Sequence, residues 1–187
     1  MAIKIYIDQG HNPESPNAGA EGNGLREQDI TYRVGVALYE LLSENPNFTA
    51  RLSRPTANTQ LGTTNASSLR YRVDDANSWG ADAFISIHTN ASSIASASGT
   101  ESLVYSEGTP AFRLGESIAQ GVSEATGLRN RGVLLRPGLY VLRKTAMPAV
   151  LTEIGFITNA EDARLMNENP ALFARGIYNG IVDFYGV

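Results

Sequence analysis

Ile3, Ile5 and Ile7 alternate with Lys4, Tyr6 and Asp8. A period of two marks a strand with one face more buried than the other. Ala83 to Ile87 is continuously apolar apart from Ser86 and predicts a buried strand that ends just before His88. Ala149 to Ile157 is a similar run, interrupted by one acid, Glu153. Thinner patterns predict strands over residues 48–53, 100–105 and 139–142. Between these runs the spacing turns helical. From Glu27 onward, Ile30, Val34, Ala37, Leu38 and Leu41 fall three or four apart. Asn45-Pro46 closes that helix, because proline disfavours α geometry in the residue before it. Ser67 or Ser68 is placed to cap a helix over Leu69, Val73 and Ala76 that ends at Gly80. Pro110 starts a helix carrying Phe112, Leu114, Ile118 and Val122, with Gly127 as its C-terminal stop. Asn159 with Asp162 resembles a capping pair, and Pro170 opens a last helix with Phe173, Ile177, Ile181 and Phe184 facing inward. Segments 12–24, 54–68 and 129–138 are expected as loops. Segment 91–99, small and serine-rich, is expected to be mobile. Strands and helices alternate, which predicts an α/β fold: a twisted, mostly parallel mixed sheet of about six strands with helices on both faces.

The chain has 187 residues, enough for one domain, 1–187, with a proper core. A net charge of −4 argues against a nucleic-acid binder, which needs a basic face. It argues equally against purely electrostatic docking on an anionic membrane or wall. There is no cysteine, so no disulfide forms, and a metal would have to be held by histidine and carboxylate. No stretch has the pattern of a signal peptide or approaches the roughly 20 apolar residues of a membrane span. A protein of this kind acting outside a cell is expected to leave by lysis or a holin-type pore, or to be cut from a longer chain.

The chain has two histidines. His11 follows the first strand and His88 ends the buried one. Chemistry in open α/β sheets gathers at such strand ends. Glu27, at a predicted helix start where the dipole favours an acid, completes a possible His₂Glu set of the hydrolytic zinc type. The intervals match no short motif such as H-E-x-x-H, and each histidine alone also suits a structural role at a strand end. Glu153 has two readings as well. It is a strand acid pointing to solvent, or a partly desolvated general base. Asp8, Asn90 and Glu101 are candidates to fix the imidazole tautomers. Arg129, Arg131, Arg136 and Arg143 are candidates to hold carboxylates of a peptide, or simply solvated charges.

Four separated motifs then fall in order: Ile7-Asp-Gln-Gly-His11-Asn, Gly24-Leu-Arg-Glu27, Ser86-Ile-His88-Thr-Asn-Ala, and Pro148-Ala-Val-Leu-Thr-Glu153-Ile-Gly-Phe-Ile-Thr-Asn. Arg70-Tyr-Arg72, Ala76-Asn77, Gly99-Thr-Glu101 and Arg131-Gly-Val link them. Together they resemble the type 3 N-acetylmuramoyl-L-alanine amidases, zinc enzymes that include autolysins, sporulation amidases and phage endolysins. The resemblance implies zinc held by His11, Glu27 and His88, with Glu153 as catalytic acid/base. It implies cleavage of the amide between N-acetylmuramic acid and L-alanine in peptidoglycan, at the cell wall. Gln9 departs from the family pattern but supplies no ligand, so little effect is expected of it. A zinc peptidoglycan peptidase is the nearer alternative and a non-catalytic wall-binding module the more distant one. As an isolated domain the chain is expected to be a monomer, and a wall-binding module is expected in a longer form.

Overall fold

The computed structural model describes residues 1–187. Six strands form its central sheet: β1 (Ile3–Gln9), β4 (Phe48–Leu52), β5 (Ala83–Asn90), β6 (Thr100–Val104), β7 (Asn130–Leu135) and β8 (Ala149–Phe156). A two-stranded ribbon, β2 (Glu21–Gly22) with β3 (Leu25–Arg26), sits in the long loop after β1. The order across the main sheet is β4-β1-β5-β8-β6-β7. β4, β1, β5 and β8 run parallel. β6 is antiparallel to β8 and parallel to β7. The sheet is therefore mixed and mostly parallel, as the alternation of elements predicts.

Alternate residues of the central strands supply two cores. Ile5, Ile7, Ile85, Ile87, Val150 and Ile154 face three helices: α1 (Glu27–Glu44), α3 (Pro110–Thr126) and α6 (Pro170–Tyr185). Tyr6, Phe84, Leu103 and Leu151 face α2 (Asn65–Trp79) and the short α4 (Tyr140–Lys144). A further helix, α5 (Ala160–Glu168), follows β8. Strands covered on both sides explain why β5 and β8 read as apolar runs rather than alternations. No helix is long and apolar enough to cross a membrane.

Four local expectations are revised. Residues 139–142 form no strand; α4 occupies that stretch, with Val141 and Leu142 buried against the second core. Adjacent apolar residues in a short segment satisfy one turn of helix as well as a strand, and β7 already takes the edge of the sheet. That edge strand is built from the segment expected as a basic loop; an edge tolerates Arg131, which a central strand would not. α2 starts earlier than expected, at Asn65. Thr64 is its N-cap, and Ser67 is the residue that closes the capping box from inside the helix. Segment 91–99 is tied down rather than loose. Ser92 N donates to Thr158 Oγ1 (3.0 Å), Asn159 Nδ2 to the Ala95 carbonyl (2.9 Å), and Ser98 Oγ to Asp162 Oδ1 (2.7 Å). Asp162, in the first turn of α5, is fully buried and also accepts from the backbone N–H groups of Gly99 and Phe156.

Candidate metal centre

β1 and β5 lie side by side in register, Gln9 opposite Ile87, so their C-terminal ends deliver His11 and His88 to the same place. His88 lies inside β5, which continues to Asn90, rather than beyond it. Glu27 is the first residue of α1 and reaches both rings. His11 Nε2 lies 3.1 Å from Glu27 Oε2, and His88 Nδ1 lies 3.0 Å from Oε1. The rings meet edge-on, centroids 4.8 Å apart. One donor atom from each residue falls within 4.8 Å of the others.

Glu27 is held by more than the histidines. Ala20 N donates to Oε2 and Thr89 N to Oε1, each at 2.9 Å. The side chain is buried. Burial alone would raise its pKa, but hydrogen bonds from His11 and His88 outweigh that and hold it far below the carboxylate range. Two glycines make room for the cluster. A Cβ on Gly10 would come within 2.6 Å of His88 Nε2, and one on Gly19 within 2.8 Å of Glu27 Oε2. His11 itself adopts φ +68°, the left-handed region that favours glycine, and its Nδ1 is buried with no partner. Two imidazoles and a carboxylate, packed this closely and shielded on one side, fit a zinc-class cation by donor type.

What fixes the strained His11 turn is a pair of buried arginines to which the sequence pattern assigns no role. Arg72 Nη1 donates to Asp8 Oδ1 (2.6 Å) and the Gln9 carbonyl (2.7 Å); Nη2 donates to the His11 carbonyl (2.7 Å). Arg54 Nη1 bridges toward the carbonyls of His11 (3.5 Å) and Gln28 (3.1 Å). One sequence signal points to Arg72: it lies four residues before Ala76, on the apolar stripe of α2, where a solvated charge has no place. Gln9 is also more than a bystander. Fully buried, it bonds Ser53 and Arg54, and Gly35 of α1 leaves the space its side chain fills.

Glu153 is paired with His88 across the β5–β8 ladder. Its Oε2 is buried with no hydrogen-bond partner. Burial first, then the nearby charges of Glu27 and Glu101, push its pKa up to about 8. Glu101 stands opposite Glu153 on β6 and accepts from Asn90 Nδ2 (3.0 Å) and Arg131 Nε (2.8 Å). Neither Asp8, Asn90 nor Glu101 makes a hydrogen bond to an imidazole; they brace the backbone and the flank of Glu153 instead. Of the four arginines expected as carboxylate holders, Arg131 is committed to Glu101, while Arg129, Arg136 and Arg143 are exposed.

Fold and site together define an α/β enzyme with a candidate metal centre at the C-terminal ends of its parallel strands. The family model for N-acetylmuramoyl-L-alanine amidases (Amidase_3) matches residues 5–183. The chain is 37% identical over 189 residues to N-acetylmuramoyl-L-alanine amidase CwlM of Bacillus licheniformis, covering 99% of this chain and 70% of that protein. It is 36% identical over 188 residues to the sporulation-specific N-acetylmuramoyl-L-alanine amidase of Bacillus subtilis (strain 168), covering 99% and 69%. The crystal structure of an N-acetylmuramoyl-L-alanine amidase from Clostridium difficile 630 superposes with a TM-score of 0.88 at 26% identity, covering 99% of this chain and 97% of that one. The chain belongs to the N-acetylmuramoyl-L-alanine amidase family.

Proposed function

We propose that residues 1–187 are a zinc-dependent catalytic unit that hydrolyses the amide between N-acetylmuramic acid and L-alanine in peptidoglycan. The observation that carries this reading is the convergence of His11, Glu27 and His88 beside a second, partnerless carboxylate, Glu153. His11, Glu27 and His88 would hold the ion. When bound, zinc supplies Lewis acidity, acidifying water and drawing charge from a carbonyl oxygen.

Glu153 supplies the proton chemistry. No hydrogen bond ties up its side-chain carboxylate, and the oxygen other than the buried Oε2 would accept a proton from the attacking water. The water oxygen bonds to the lactyl carbonyl carbon. The C–N bond then breaks as Glu153 returns that proton to the alanine nitrogen, leaving a carboxylate on muramic acid and a free amine on the peptide. Burial and two neighbouring acids raise the pKa of Glu153, and a cation held at His11, Glu27 and His88 would lower it toward the ionised form that accepts the proton. Glu27, pinned by two backbone N–H groups, keeps its charge for the ion.

Mass spectrometry of digested sacculi tests the reading. Wall incubated with the protein gains a free L-alanine amine, chelator abolishes the product, and added zinc restores it. A different new amine identifies a peptidase, and no new amine identifies a binding module.

A further inference from the structure

Arg54 is buried, yet its hydrogen bonds go to backbone carbonyls and not to a carboxylate. A guanidinium kept out of water is costly, and three carbonyls with the face of Tyr32 offset that cost. Nη2 donates to the Ala57 carbonyl (2.9 Å), on the loop that carries Arg54 itself. Nη1 donates to the Gln28 carbonyl (3.1 Å) and reaches toward that of His11 (3.5 Å). Gln28 directly follows Glu27. One nitrogen thus stands between the two chain segments that deliver His11 and Glu27. His88 needs no such tie, because β5 is already in register with β1. Thr31, one turn further along α1, adds a second link: its Oγ1 donates to the Gly10 carbonyl at 2.8 Å.

Gln9 is what aims Arg54. Arg54 lies past Leu52, the last residue of β4, and there the Gln9 side-chain amide takes over from the strand ladder. Its Oε1 accepts from Arg54 N (2.9 Å) and its Nε2 donates to the Arg54 carbonyl (3.2 Å), so both backbone groups of Arg54 are paired. Ser53 Oγ donates to the same Oε1 at 3.2 Å. The amide has no room to turn: it is fully buried, and a Cβ on Gly35 would come within 2.4 Å of its Cγ. We propose that Gln9, acting through Arg54, is a positioning residue for the metal centre. It fixes the spacing of His11 and Glu27, and with it how tightly the site grips zinc. The inference rests on the zinc amidase reading given above.

The test titrates the metal-free protein with zinc against a competing chelator, and records the visible spectrum of the cobalt(II) complex, which reports ligand geometry. Gln9→Met keeps the shape and removes the side-chain hydrogen bonds. Arg54→Lys keeps the charge and replaces the planar fork by one ammonium. Each should raise the zinc Kd roughly tenfold or more and shift the cobalt bands. The double variant should bind zinc no more weakly than the weaker of the two single variants, because the two side chains act as one unit. Val122→Ala, where α3 packs against Gly176 of α6, lowers stability away from the site and should leave both readings unchanged. Melting curves verify the fold; where Gln9→Met does not fold, Gln9→Asn, which keeps the amide but shortens its reach, takes its place. The proposal is overturned if either single variant binds zinc like the wild type, if the two losses multiply in the double variant, or if Val122→Ala weakens binding as much. A wild type that binds neither zinc nor cobalt overturns the metal-centre reading instead, so the two failures are distinguishable.

Discussion

A buried carboxylate oxygen with no partner is costly, and Glu153 Oε2 is one. Replacing Glu153 with Gln removes the proposed proton acceptor while keeping the shape, so fold and metal binding should persist and turnover should fall by roughly a hundredfold or more. Unchanged turnover would remove Glu153 from the mechanism. The same residue sets a pH signature in the metal-free protein. Its pKa rises from 4.5 in the reference state to about 8 when folded. The folded state thus holds the proton more tightly, and the associated stability is complete below 4.5 and is lost as pH rises through about 8. Urea titrations across that range should show a decline in the metal-free wild type that Glu153→Gln flattens. The Asp8–Arg72 pair behaves differently. Both side chains are buried, and removing one partner strands a charge. Arg72→Met is expected to cost about 3–5 kcal/mol in urea denaturation. Loss of under about 1 kcal/mol, the range of an exposed pair, would contradict the bracing role argued for it. Gly10→Ala is the complementary experiment. Its Cβ would press on His88 Nε2, so metal stoichiometry should fall while the far-UV spectrum stays native.

At the scale of elements, Asp162 explains why a serine-rich loop beside the site is held in place. Asp162→Ala removes three acceptor contacts, and amide exchange at Ser98 and Gly99 should accelerate by at least roughly tenfold, with the α6 core unaffected. Unaltered exchange there would show that other contacts hold the loop. β1, β5 and β8 are legible in the sequence because buried strands need unbroken or alternating apolar residues. α1, α3 and α6 are legible because Pro and Gly mark their ends. α4 and β7 are not. Val141 and Leu142 are buried as neighbours with no period to read, and Arg131 and Gly132 make β7 look like loop until an edge position explains them. Thr64 is hidden as a cap because two serines nearer the apolar run satisfy the same rule.

At the scale of the molecule, topology explains the site. Parallel neighbours β1 and β5 bring together two histidines that no local motif links, and the start of α1 adds Glu27. The residue types are readable in the sequence, and the family resemblance groups them. The scaffold beneath is hidden, because Arg54 and Arg72 act through backbone carbonyls that only the folded chain assembles. A metal held at these residues would also tie the three elements to one another. Zinc at a hundredfold excess over its Kd should raise stability by about 2.7 kcal/mol, seen as a higher melting temperature that chelator reverses. The most direct test of the metal centre is an anomalous difference map collected at the zinc edge from crystals soaked in zinc salt. A single peak within bonding distance of His11, Glu27 and His88 is the expected result; a map with no peak among those three side chains would contradict it.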